Sequence, residues 1–188
     1  MSSANINHNI SVLKIWVDDF WAFSGKVYGL PNMQAHCIAW QDQYHGHVNG
    51  LLFAIWCDVR GYRVLSADNL QQLNTVIVHS HDNDVAPIRQ VRLAHSDKTS
   101  AAYKAALSTE LAAEQRQQEA IIQWALTHLN DQPLDTNDGN DKNMRLQQTR
   151  LYLHAHIANN ISDQALKNGA IALTKDIESI AQRALPSV

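Results

Sequence analysis

Residues 31–61 read PNMQAHCIAWQDQYHGHVNGLLFAIWCDVRG, and this stretch decides the fold class. Met33, Cys37, Trp40 and Tyr44 recur at steps of three and four, which puts them on one stripe of a helix. Gly46 interrupts that stripe. A second one follows, carrying Val48, Leu51, Leu52, Ile55, Trp56 and Val59. Gly61 stands where a helix ends in a left-handed residue. Pro31 opens the first of the two, where its missing N–H costs nothing. The spacing thus predicts two helices, about 31–44 and 48–60, joined by a short turn.

The same period extends outward. Leu13, Trp16, Val17, Phe20, Trp21 and Phe23 predict a helix over about 11–28, ended by Gly29. Ser66 caps a helix reaching about Val78, and Asp84 with Pro87 starts another that runs to about Ser96. An Ala/Gln/Glu-rich helix spans about 100–129. Residues 130–142 are polar and turn-rich. Two further helices cover about 143–158 and 162–185, forming a C-terminal hairpin over 143–185. The last has Ser162 as its cap, with Ile161 and Leu166 as a hydrophobic staple. No stretch alternates with period two. The expected fold is all-α: one domain over 1–188, with six to eight helices in an orthogonal or bundle-like array.

Composition agrees with a packed core. Apolar residues make up 45% and charged residues 18% of the 188, a globular balance. Ten of the thirteen aromatics lie in the first 62 residues, so residues 10–63 form the expected aromatic-rich core half. The net charge is -3, so nothing in the bulk charge favours nucleic acid or an anionic membrane. The longest apolar run, Leu51 to Cys57, is far short of a membrane span. The first ten residues lack the basic and apolar regions of a signal peptide. Cys37 and Cys57 both lie in apolar stripes, which reads as buried free thiols in a reducing compartment. The expected location is the cytoplasm.

Candidate chemistry is sparse. Three His-x-His pairs occur: His45/His47, His79/His81 and His154/His156. Residues two apart on a helix point roughly 200° apart, so His154 and His156 cannot share a metal. No Cys or Glu stands at zinc-site spacing beside the other two pairs. His81-Asp82 is the dipeptide of the all-helical metal-dependent phosphohydrolases, with His45 or His47 as the spaced ligand and Asp163 or Asp176 as the distant one. Ten histidines give such a dipeptide by chance, and this one falls in a polar turn. The acidic run Asp135 to Asp141 fails as a calcium loop, with Gly139 one place early and Leu146 at the bidentate position. No nucleophile elbow or phosphate loop is present. Neither a metal nor a cofactor is expected.

Two clusters remain. Arg89 and Arg92 share a helix face and form a candidate anion patch. Gln41, Asp42 and Asn49 lie between two apolar helices, within reach of Trp21, Tyr28, His36 and Trp56. Asp42 falls in the last turn of its helix, where the dipole disfavours a carboxylate, so it calls for a partner: Arg60, Arg63 or an N–H of the next helix. These polar residues either pin the helical hairpin or line a ligand site.

Phe20-Trp21, Tyr28, Cys37, Gln41-Asp42, Val48-Asn49, Leu51-Leu52-Phe53, Trp56 and Arg60-Gly61 together resemble the pattern of an uncharacterised family of small helical bacterial proteins, a domain of unknown function. The resemblance covers residues 16–63 closely and continues loosely through 88–93 and 100–129. Trp40, in place of an aliphatic residue, and Gly50 depart from the pattern. The resemblance implies a helical cytoplasmic protein and carries no catalytic residue. Three functions stay open: a non-enzymatic interaction or accessory domain with a protein partner or a second copy, a small-molecule binder or enzyme using the aromatic half, and a divalent-metal hydrolase.

Overall fold

The computed structural model describes residues 3–62, 65–128 and 146–184, with side chains from residue 11 onward. The expected polar loop 130–142, Arg63 and the acidic run from Asp135 lie outside the described residues. The rest is all-α, and no strand occurs among the described residues. The helices are α1 (Ser3–Tyr28), α2 (Met33–Tyr44), α3 (Val48–Arg60), α4 (Leu70–Ser80), α5 (Ala86–Leu93), α6 (Ala101–Leu126), α7 (Gln147–Asn160) and α8 (Gln164–Ala181).

The chain divides into two compact units, residues 1–21 with 72–127 and residues 22–71 with 128–188. The boundary therefore runs through α1 and α4.

In the second unit, α2 packs on α3, α3 on α7, α7 on α8, and α8 back on α2, a closed ring of four helices. α3 is its centre. Every residue from Asn49 to Cys57 is buried, so this helix is apolar on all sides, as a core helix must be. Gly61 ends it in the left-handed conformation at φ 73°, with Tyr62 N donating to Cys57 O at 2.8 Å. The turn from α2 to α3 spans 45–47, and its left-handed residue is His45, at φ 56°. Gly46 is buried, and a Cβ there would stand 2.0 Å from Trp40 Nε1. The glycine is required by the indole packed on it. At the other end, α2 begins at Met33 and not at Pro31. Asn32 takes a left-handed φ of 70° before it, a conformation Asn tolerates better than most residues.

In the first unit, α5 packs on α6, and a π-helical turn, His81–Val85, also lies against α6. The core here is Phe20, Leu73, Ile77, Val85, Ala113, Ile121, Ile122 and Ala125, all essentially inaccessible. The polar turn expected before Asp84 is this π turn, so the chain stays helical from α4 into α5. The widened turn leaves backbone carbonyls poorly served, and two side chains serve them. Gln117 Nε2 donates to Ile77 O at 3.0 Å, and Ser80 Oγ donates to Val76 O and Ile77 O at 2.9 and 3.1 Å. Ser100 caps α6, accepting from Tyr103 N at 3.1 Å. The cap of α8 is Asp163, which accepts from Leu166 N at 2.8 Å, and not Ser162. The shift by one residue dissolves the expected staple: Ile161 is buried but Leu166 is half exposed.

Candidate functional site

Arginine and glutamate join α5 to α6. Arg89 and Arg92 are one turn apart and lie on the same side of α5. Glu110 on α6 faces both. Arg89 Nε donates to Glu110 Oε1 at 2.8 Å, Arg92 Nη2 to the same oxygen at 3.2 Å, and Arg92 Nε to Glu110 Oε2. Arg89 Nη2 reaches Glu114 Oε1 at 3.0 Å, and Arg92 Nη1 reaches Tyr103 Oη at 3.4 Å. Burial pushes the Glu110 carboxyl up, but the hydrogen bonds from Arg92 and Arg89 outweigh it and hold the pKa below its ordinary value. Glu114 goes the other way. Burial raises it, Arg89 pulls it down, and neighbouring Glu110 pushes it up again. The two arginines read from the sequence as an anion patch thus have two carboxylates of the same chain on them.

With its arginines engaged in this way, α5 has no fully buried residue, and Ala86 and Ile88 are half-buried. Its apolar Val91 and Leu93 are 57% and 59% exposed, and on α6 Leu107 and Leu111, one turn apart, are 38% and 46% exposed. Just before α5, His81 is half buried. Burial lowers its pKa, Arg89 adds to that effect, and Asp82 opposes it.

The second unit holds a different polar arrangement, built on α7. Asp58, in the last turn of α3, accepts from Gln148 N at 2.9 Å, Thr149 N at 2.8 Å and Thr149 Oγ1 at 2.6 Å. It serves as the N-terminal cap of α7, whose own flanking residue, Leu146, offers no cap bond. Burial drives the Asp58 pKa up to about 6, against the pull of its Thr149 and Gln148 donors and of Arg150. Gln148 then clamps Leu65, accepting from its N at 2.6 Å and donating to its O at 3.3 Å. Arg150 Nε donates to Glu178 Oε2 on α8 at 2.8 Å. Further along α7, Tyr152 Oη donates to His47 O at 3.3 Å, and His156 Nε2 lies 2.8 Å from Tyr44 O at the end of α2.

The residues expected to form a ligand site are distributed as follows. Trp21 ends the N-terminal segment of the first unit and is half buried; Tyr28, His36, Gln41, Asp42, Asn49 and Trp56 belong to the second. Gln41 and Asp42 are joined, Nε2 to Oδ1, at 3.0 Å, and Asp42 is exposed. Arg60, one expected partner of Asp42, lies over the Phe23 ring at 5.9 Å. Asn49 is buried in the first turn of α3, and His36 and Tyr28 are half buried. Trp56 is a core residue, with Phe53 at 5.9 Å on one side and Tyr62 at 5.1 Å on the other.

Asp58 escaped the sequence reading although the signal existed. The dipole argument applied to Asp42 applies equally to Asp58, also a carboxylate in a last turn. Of the two, Asp58 is the buried one. His154 is exposed and His156 buried, in line with their opposite directions on α7. Among the described residues no group of three or more His, Cys, Asp or Glu side chains is placed to hold a metal ion. No helix among them is long and apolar enough to cross a membrane.

No curated protein and no solved structure matches the chain. A family model does match, over residues 19–121, a segment that contains α2, α3 and the whole of the Arg89–Glu110 contact. That segment is more than half of the chain, and the resemblance read from residues 16–63 falls largely within it. The protein belongs to the family described as protein of unknown function (DUF2390).

Proposed function

We propose that this protein is a non-enzymatic interaction module, and that α5 with the neighbouring face of α6 is where it takes an apolar helix of another protein. One observation carries this reading. A helix is ordinarily held to its domain by the apolar side chains it buries. α5 has no fully buried side chain, is tied to α6 through Arg89, Arg92 and Glu110, and leaves Val91 and Leu93 exposed, as Leu107 and Leu111 are on α6. An exposed apolar patch, where such side chains join, marks an interaction surface. A net charge of -3 argues against nucleic acid as the partner. The two buried free thiols, Cys37 and Cys57, favour a reducing compartment, so we place the protein in a bacterial cytoplasm.

The test is site-specific photo-crosslinking in cells. A benzophenone side chain is placed in turn at positions 91, 93, 107 and 111, and at Gln115 and Lys175 as exposed polar controls. The expected result is one discrete adduct from the apolar positions, lost when Leu107 and Leu111 are both changed to Glu, and absent from the controls. A dimer of the chain itself at those positions would replace the foreign partner with a second copy. Equal adducts from every position, or none, would overturn the proposal.

A further inference from the structure

The ring of His156 is held in one protonation state by its neighbours. Its Nε2 lies 2.8 Å from the Tyr44 carbonyl oxygen, which can only accept, so Nε2 carries the proton. Its Nδ1 lies 3.3 Å from Asn160 Nδ2. The orientation of that amide is fixed independently, because Asn160 Nδ2 also donates to His156 O at 3.0 Å. Nδ1 is therefore an acceptor, and the ring is neutral. A second proton on Nδ1 would point at the Asn160 amide N–H groups. Turning the amide over would set its oxygen against the His156 carbonyl.

The position matters for the fold of the second unit. Tyr44 is the last residue of α2, where carbonyls lack helical partners. The buried Trp40 ring lies 4.7 Å from the imidazole, and Tyr44 Oη comes so near Gly169 of α8 that a Cβ there would be 2.6 Å from it. The titratable group acting on the ring is His45, at the end of α2. No carboxylate is among the groups acting on the ring. Burial lowers its pKa, the Tyr44 carbonyl opposes that, and His45 adds to it.

We propose that His156 is a proton-operated switch of the last turn of α7, anchored to the end of α2. It donates to Tyr44 O in both its forms, and only the neutral form accepts from Asn160. Protonation expels the Asn160 amide and loosens the last turn of α7. Imidazole is the side chain whose charge changes in the mildly acidic range.

Long-range proton–nitrogen NMR on the full chain, followed from pH 8 to pH 4.5, tests this directly. At pH 7.5 His156 should be the Nε2–H tautomer and should titrate below the ordinary histidine value. As it titrates, the protection factors of the Asn159 and Asn160 amides should fall about tenfold, the equivalent of one lost hydrogen bond. Asn160→Asp supplies an acceptor for the second proton and should raise the His156 midpoint by about one pH unit or more. His156→Gln keeps a donor for Tyr44 O and should make α7 protection independent of pH. An Nδ1–H tautomer at pH 7.5, or an unmoved midpoint in Asn160→Asp, would overturn the proposal even if the Gln variant does not fold.

Discussion

Asp58 and Thr149, 91 positions apart in sequence, are bonded through both the backbone N and the hydroxyl of the threonine, at 2.8 and 2.6 Å. The end of α3 thereby supplies the cap that α7 lacks. Removing the carboxylate leaves two N–H groups and a hydroxyl without their acceptor. Asp58→Ala should therefore destabilise the protein by roughly 1–3 kcal/mol in urea unfolding, with the largest loss of hydrogen-exchange protection at the start of α7.

The same carboxyl sets a pH dependence. Its folded pKa is about 6, above the ordinary value of 3.8. The folded chain thus binds this proton more readily than the unfolded chain. The Asp58 contribution to stability is greatest below about pH 4, declines as pH rises from 4 to 6, and is constant above. Asp58→Asn should remove that decline, which is on the order of 2–3 kcal/mol across the window. Denaturant midpoints of both proteins from pH 4 to pH 7.5 measure it; parallel curves would sink the assignment.

Glu110 is the carboxylate on which both arginines of α5 converge. Its pKa lies below the ordinary value, so its contribution to stability is present above about pH 4.3 and is lost as pH falls through the lower folded value. Glu110→Gln should weaken the α5–α6 contact by about 2 kcal/mol. No side chain of α5 is fully buried, so its amides should exchange faster than those of α4.

The glycines separate by what surrounds them. A Cβ at Gly46 would collide with the Trp40 indole at 2.0 Å, so Gly46→Ala should cost about 1–3 kcal/mol. A Cβ at Gly25, inside α1, meets nothing within 4 Å, so Gly25→Ala should stabilise by about 0.5–1 kcal/mol through helix propensity. Thermal unfolding of the two variants should show shifts of opposite sign.

Burial pushes the Cys37 thiol up to about 12, and Cys57 is raised by burial and then by neighbouring Asp58. Thiolate is the reactive form. Neither cysteine should react with a disulfide reagent at pH 8 in the native protein, and both should react in denaturant. Rapid labelling of Cys57 in the native state would contradict the buried environment of α3.

The stripes of tryptophan, leucine and isoleucine determined where the helices lie, because helical periodicity is written in the order of side chains along one chain. α3 appears at the bounds read from Val48 and Gly61. Local chemistry also left near misses. Asp163 took the cap from its neighbour Ser162, since either residue can accept from a first-turn amide. The π turn at 81–85 kept the chain helical where a run of polar residues reads as a break.

What only the tertiary structure decided was which helix completes which. Asp58 meets Thr149, His156 meets Tyr44, and Arg92 meets Glu110 through contacts between distant segments, and a buried charge or an unserved helix end finds its partner only when the helices have packed. Spacing along the chain records the face a residue occupies; it does not record what stands opposite that face. For that reason the arginines read as free for an anion, and the carboxylate that mattered was Asp58 and not Asp42.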